Sequence, residues 1–203
     1  MPDRKPGRRR VDSAAETRQL ILDAALALFD DCGYGATTVK AIAGRAGVAV
    51  ATVYTSVGGK PAVLAEIINA GTRDPEIERS LQRVRHAPDG PSAVREIVAG
   101  NRAVNQAHWT GINLLLTVGP TDDIVGAAAA RAAASYRASL AVGASRLASL
   151  GVLAPRIDLT VAADVLWFFL GLGSWHRLIE DCGWDWDRAE RWLRDSISHS
   201  LLD

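Results

Sequence analysis

Apolar side chains recur at three- and four-residue steps along most of the chain. Leu20, Ile21, Ala24, Ala25, Leu28 and Phe29 form the first such stripe, the mark of a helix with one buried face. Ser13 and Glu16 have the spacing of a capping box, in which each side chain satisfies a free backbone donor, so the helix is expected to start at Ser13. Gly33 is its expected stop, because glycine takes left-handed backbone at little cost. A second, shorter helix is expected with Thr37 as N-cap and with Val39, Ile42 and Ala43 buried, ending at Ala46-Gly47. A third runs from about Val50 to Ser56. Gly58-Gly59 ends it, and Pro61 opens a fourth that reaches about Ala70.

Loop signals at Asp74-Pro75 and over 87–91 flank a short polar helix at about 75–85. Further helices are expected over about 92–116, broken near His108, over about 121–150 and over about 159–181. A last one runs from Asp185 or Asp187 to about Leu201. No stretch alternates as a strand does. The expected fold is all-α, with about nine helices.

Composition adds limits. Of the 203 residues, 48% are hydrophobic and 23% charged, ordinary values that exclude wholesale disorder. Cys32 and Cys182 are far apart and not in a C-x-x-C pair, which argues for two reduced thiols over a disulfide framework or a zinc cluster. No apolar core follows the N-terminus as in a secretory signal. The run Val165–Gly173 is far short of the roughly 20 residues a membrane span needs. A cytoplasmic protein with no membrane partner is expected.

The 23 basic and 23 acidic residues sum to zero, but they are not evenly spread. Residues 1–60 hold nine basic and six acidic side chains, a net +3, and residues 61–203 hold 14 and 17, a net −3. Five of the first ten residues are basic, with proline and glycine among them. Residues 1–12 therefore read as a disordered basic arm, whose Arg8, Arg9 and Arg10 are suited to phosphates or a minor groove.

Two short helices joined by a glycine turn are the helix-turn-helix signature. Phe29 and Gly33-Tyr34 precede the paired threonines Thr37-Thr38, and Ile42-Ala43, Ala46-Gly47-Val48, Thr52-Val53-Tyr54 and Lys60 follow in order. Over roughly 14–65 the chain thereby resembles the tetracycline-repressor (TetR) family of bacterial regulators. The resemblance implies a three-helix DNA-binding domain over 13–60, whose second short helix enters the major groove of double-stranded operator DNA. Ala49, Val50, Ala51 and Thr52 would face base edges, with Thr55 close by. It further implies that Thr38, Tyr54 and Lys60 hold flanking phosphates. Thr37 and Thr38 stand at a helix N-terminus that favours an anion, and Arg45 is an added candidate. The chain departs from the family at Val57, where an aromatic is common, and at Thr55-Ser56, where a bulky or basic pair is common. Residues 49–56 contain no Arg, Asn or Gln, so reading there rests on thymine methyls and the hydroxyls of Thr52 and Thr55.

Residues 61–203 match the family only in kind. They would form a ligand-binding and dimerisation domain, with a connecting helix at about 61–71. Asn105, His108, Trp109, Asn113, Leu116, Tyr136, Leu140, Trp167, Phe168 and Trp175 are expected to line an apolar cavity with a few polar groups, the usual character of a small-molecule site. In the family the last two long helices pair with those of a second copy, which makes Leu166, Leu170, Gly173, Leu178, Trp192, Ile197 and Leu201 the expected dimer interface. The implied function is a homodimeric repressor on a palindromic operator, answering an apolar or aromatic small molecule. An activator, or a regulator answering a protein partner, is the alternative. An enzyme is not expected: His86, His108, His176 and His199 lack metal-ligand spacing, and no nucleophile elbow, P-loop or dinucleotide fingerprint occurs. No catalytic residue, metal ligand or cofactor is therefore assigned.

Overall fold

The first apolar stripe folds as α1 (Pro6–Ala36) in the computed structural model, which describes the backbone of residues 6–202 and side chains from Ser13 onward. Pro6 opens the helix, where its missing N–H costs nothing. The helix thus starts ahead of Ser13, which is no N-cap; its carbonyl accepts from the Thr17 hydroxyl at 2.8 Å. The disordered arm expected over 1–12 is corrected for residues 6–12, whose backbone is helical. Residues 1–5 and the side chains of Arg8, Arg9 and Arg10 lie outside the described residues.

Gly33 breaks α1 with a φ of +81°. α2 (Val39–Ala46) and α3 (Val50–Ser56) follow. Gly47, at φ +68°, turns one into the other, and its N–H closes on the Ala43 and Gly44 carbonyls. The body contains α4 (Lys60–Gly71), α5 (Pro75–His86), α6 (Gly90–Ala107), α7 (Trp109–Val118), α8 (Asp123–Ser149) and α9 (Leu159–Leu170). A single turn, α10 (Ser174–His176), runs into a π-helical segment (Arg177–Asp181) before α11 (Trp186–Leu201). Asp74, Asp89, Asp122, Asp158 and Asp185 cap α5, α6, α8, α9 and α11 with side-chain oxygens, each satisfying N–H groups the helix leaves free.

Ten of the helices in the described residues have seven residues or more. The expected helix over 92–116 is divided at His108, and that over 159–181 at Gly171–Gly173. No strand forms among the described residues; one bridge, Leu153 to Leu202, pins the end of α11 beside the loop after α8. No single helix among them is long and apolar enough to cross a membrane.

Two apolar clusters hold the chain together. The first unites Ile21, Phe29, Ile42, Val53, Val63 and Leu64 with Leu115 and Val125 of α7 and α8. The second contains Val94, Leu147, Leu166, Leu170, Trp175, Leu193, Ile197 and Leu201. α8 joins them, with Val125, Ala128 and Ala132 in the first and Leu140, Ala144 and Leu147 in the second, and α4 packs against α1, α7 and α8. Each large apolar side chain so buried contributes about 1.5–3 kcal/mol.

Candidate nucleic-acid interface and interior cavity

α3 is held by its inward side. Val53 is fully buried against Ile42 and Ala43 of α2. Helical periodicity then turns positions 51, 54 and 55 away from Val53, and Val50, in the first turn, is exposed as well. Ala49, Val50, Ala51, Tyr54 and Thr55 are exposed and Thr52 is half-buried, so five of the six residues expected here are open to solvent. Tyr54 is 56% exposed and Val50 40%, a large outlay of apolar surface for a seven-residue helix. The Thr55 hydroxyl donates to the Ala51 carbonyl at 3.0 Å, leaving its lone pairs outward.

Around this face the expected set needs corrections. Thr38, not Thr37, is the N-cap of α2: its hydroxyl accepts from the Ala41 N–H at 3.1 Å. Thr37 is 2% exposed and donates to the Gly33 carbonyl at 2.8 Å. It seals the broken end of α1 and cannot reach a phosphate. Lys60 sits beside the same end, donating to the Tyr34 carbonyl at 2.6 Å with its ammonium 4.3 Å from the Tyr34 ring centre. A cation there satisfies the carbonyls that a helix C-terminus leaves free. With Gly35 also accepting at 3.4 Å, one of the ammonium's three donors stays open. Arg45 pairs with Asp31 at 2.6 Å on the open surface, a contact weak enough for a phosphate to displace.

Arg18 was not among the expected residues. It donates to the Ser56 carbonyl and pairs with Glu66 at 2.8 Å, tying α1, the end of α3 and α4 together. The Arg18 hydrogen bond holds the Glu66 carboxyl below its ordinary range. The signal was present: Arg18 is three residues before Ile21 and seven before Ala25, a charge on the buried stripe.

The body holds a partly open cavity of about 130 Å³ between α4, α5, α6, α7 and α8. Asn105, His108, Tyr136 and Leu140 of the expected set line it. The other walls are mostly small or aliphatic, with Gly100, Gly111, Gly143, Ser80, Ser135 and Ser139 opening the space. The remaining expected residues are elsewhere. Trp175 is fully buried in the second cluster. Trp167 packs edge-on to Tyr136, outside the cavity, under the Arg137 guanidinium. Phe168 is 75% exposed. Trp109 packs edge-on to Trp186 at 5.0 Å and donates to Glu180. Asn113 bonds the His176 ring at 3.0 Å, and Leu116 joins the first cluster.

A relay of hydrogen bonds backs the cavity. The Trp175 indole N–H donates to Asn101 Oδ1, Asn101 Nδ2 to the Tyr136 hydroxyl, and that hydroxyl to the Leu170 carbonyl, which ends α9 and has no helical partner. Burial pushes the Tyr136 phenol far above its ordinary range, so it stays a neutral donor. On another side, His108 Nε2 is 2.7 Å from Asp74 Oδ2. The Glu76 backbone N–H, and then His108, hold the Asp74 carboxyl below its ordinary range.

The expected dimer interface is corrected in its core. Leu166, Leu170, Ile197 and Leu201 are all fully buried within this chain and present nothing to a second copy. Gly173 and Leu178 are half-buried. Trp192 is 44% exposed, and beside it α9 presents Phe168, with Leu159 and Val161 at 49% and 39%. Phe169 links Phe168 to Trp192, with ring centres at 5.2 and 6.1 Å.

Residues 21–67 match the family described as bacterial regulatory proteins, tetR family. No curated protein matches the chain. Among solved structures, a putative transcriptional regulator from Saccharomonospora viridis in complex with choline is 18% identical, with 93% of this chain and 99% of that one covered and a TM-score of 0.76. The fatty acid degradation regulator FadR from Bacillus halodurans is 17% identical over 97% of this chain and 96% of that one, with a TM-score of 0.73. SmeT in complex with triclosan is 21% identical over 92% of each chain, with a TM-score of 0.72. The family match thus falls on the helix-turn-helix head, and the chain as a whole shares the fold of these solved regulators.

Proposed function

We propose that the protein acts in the cytoplasm as a homodimeric repressor. It reads a palindromic operator and releases it when a small apolar or aromatic molecule fills the cavity. One observation carries this reading: α4 belongs to both parts. Its Val63 and Leu64 lie in the cluster that holds α2 and α3, while its Ile68 and Gly71 line the cavity. A molecule that prefers one setting of α4 therefore biases where α3 points, which is a coupling between two sites.

In this reading residues 13–60 form the reading head and 61–203 the sensing and pairing body. Val50, Ala51 and Thr52 meet base edges, with Ala49 and Thr55 beside them, while Thr38, Tyr54 and the open donor of Lys60 meet phosphates. Pairing uses the exposed side of α9 with Trp192, because a single reading head makes too few contacts for tight, specific binding. Complexes of fold relatives with triclosan and choline support a small-molecule partner.

Mobility shift on the gene's own upstream DNA tests the reading, with stoichiometry from sedimentation and compounds handled by neighbouring genes added in turn. Two chains per site, and release by one compound class, are expected. A bound single chain, or an affinity that no small molecule alters, overturns it.

A further inference from the structure

We infer that Arg18 is the positioning residue of the reading helix. Its guanidinium fixes the angle of α3 against α4, and so sets how well α3 matches one base sequence. This role rests on the proposal that α3 meets base edges, and it names the residue that holds α3 for that task.

α3 has seven residues, and Val53 is its one buried side chain. A helix this short does not hold itself, and one buried side chain gives it a pivot but leaves its tilt open. The caps add little. Ala49 makes no side-chain cap at the start, and at the end the N–H groups of Val57 and Gly58 both turn back to the Val53 carbonyl. The Ser56 carbonyl closes the helix without a helical partner. Arg18 Nη1 donates to it, at a helix end that also favours a cation. The other nitrogen, Nη2, is 2.8 Å from Glu66 Oε2 on α4. Guanidinium nitrogens stand in one rigid plane, so the two contacts fix Ser56 and Glu66 relative to each other.

The covalent connection between α3 and α4 is only residues 57–59, two of them glycine, with Gly58 at φ +117°. Glycine leaves such a connection soft. Arg18 spans it and supplies the second fixed point that the Val53 pivot lacks. Glu66 is two residues after Leu64, which belongs to the apolar cluster of the head, and two before Ile68, which lines the cavity. The contact therefore passes the setting of α4 to the end of α3.

Stability is not what it supplies. The Arg18 and Glu66 side chains are 39% and 27% exposed, and ion pairs open to water add little to folding. Its effect is on geometry. Base edges are read only by side chains held at contact distance, whereas phosphate contacts from Thr38 and Lys60, outside α3, are blind to sequence. Losing Arg18 should therefore cost sequence discrimination and spare general binding.

Anisotropy titrations of the full-length protein on two duplexes test this, one selected from random DNA by the wild type and one unselected of equal length. Arg18→Met keeps the apolar stem and removes the fork. It is expected to weaken binding to the selected duplex about tenfold, the scale of one well-placed base contact, and to leave the unselected duplex nearly unchanged. Glu66→Ala should lower the same ratio of affinities. Adding it to Arg18→Met should cost nothing further, because the two residues act as one link. If Arg18→Met fails to fold, Glu66→Ala alone carries the comparison. Equal losses on both duplexes, an unchanged ratio, or losses that add in the double variant overturn the role of Arg18 and leave α3 as the reading helix. A wild type that binds both duplexes equally overturns both.

Discussion

The two ends of this chain use their large side chains in opposite ways. In the head, Tyr54 and Val50 stand out into solvent from a helix anchored by small contacts. In the body Trp175 is wholly enclosed, and glycines and serines stand among the aliphatic residues that line the open space. A reading surface is built by what protrudes. A cavity is built by what is missing, and bulk placed on its wall would only fill it. Gly100 shows how close the elements come: a Cβ added there would lie 2.0 Å from Ser80 Oγ, where α5 crosses α6.

Removing bulk from the body should therefore cost stability, and removing it from the head should cost binding alone. The largest effect is expected for Trp175→Ala, which empties a core site and strands Asn101: about 3–5 kcal/mol, read by urea unfolding. A loss below about 1 kcal/mol would place Trp175 outside the load carried by the core.

Tyr54→Ala should leave the unfolding midpoint almost unchanged, since the side chain is exposed. Its operator affinity should fall at least tenfold, the loss of a hydrogen bond to a charged group being about 1.5–3 kcal/mol. Unchanged affinity in an anisotropy titration would remove Tyr54 from the contact set.

Phe168→Ala tests the exception, an aromatic of the body that faces outward. Chain stability should change by no more than about 0.5 kcal/mol. Self-association should weaken by more than about 1 kcal/mol, seen as a rising monomer fraction in sedimentation. An unaltered dimer would move pairing off this side of α9.

The smallest effect concerns Asp74, at the turn between α4 and α5. Its folded-state pKa is below the unfolded one. Its stabilisation is therefore complete above about pH 4 and is lost as pH falls through the lower folded value. Asp74→Asn keeps a good N-cap but loses the charge facing His108. Its acid unfolding curve should be shallower than that of the wild type, which sheds this contribution together with those of Glu66 and Glu76. Superimposable curves would mean that the contact with His108 carries no charge-dependent stability.

The head was largely legible in the sequence because its pattern is local. Phe29, Ile42, Ala43, the Gly33 break and the Gly47 turn are set by neighbours within a few residues, and the structure has them as expected. Thr38 rather than Thr37 caps α2, because capping depends on one residue of helix register, which the apolar stripe does not fix. The body was less legible. Leu166, Leu170, Ile197 and Leu201 repeat at helical spacing whether they meet their own core or a second copy, so periodicity cannot separate the two. The aromatic residues drew attention as cavity walls by their size, yet the cavity lies where Gly100, Gly111 and Gly143 from three helices converge, an arrangement only tertiary packing creates.

The most direct measurement is operator affinity as a function of salt, with a duplex selected from random DNA by the wild-type protein and an unselected duplex of equal length. Binding to the selected duplex should saturate at two chains per site. It should fall linearly on a log–log plot with a steep negative slope, and exceed binding to the unselected duplex by about 10³-fold or more. Equal affinity for the two duplexes, or binding indifferent to salt, would show that the exposed side of α3 does not read DNA.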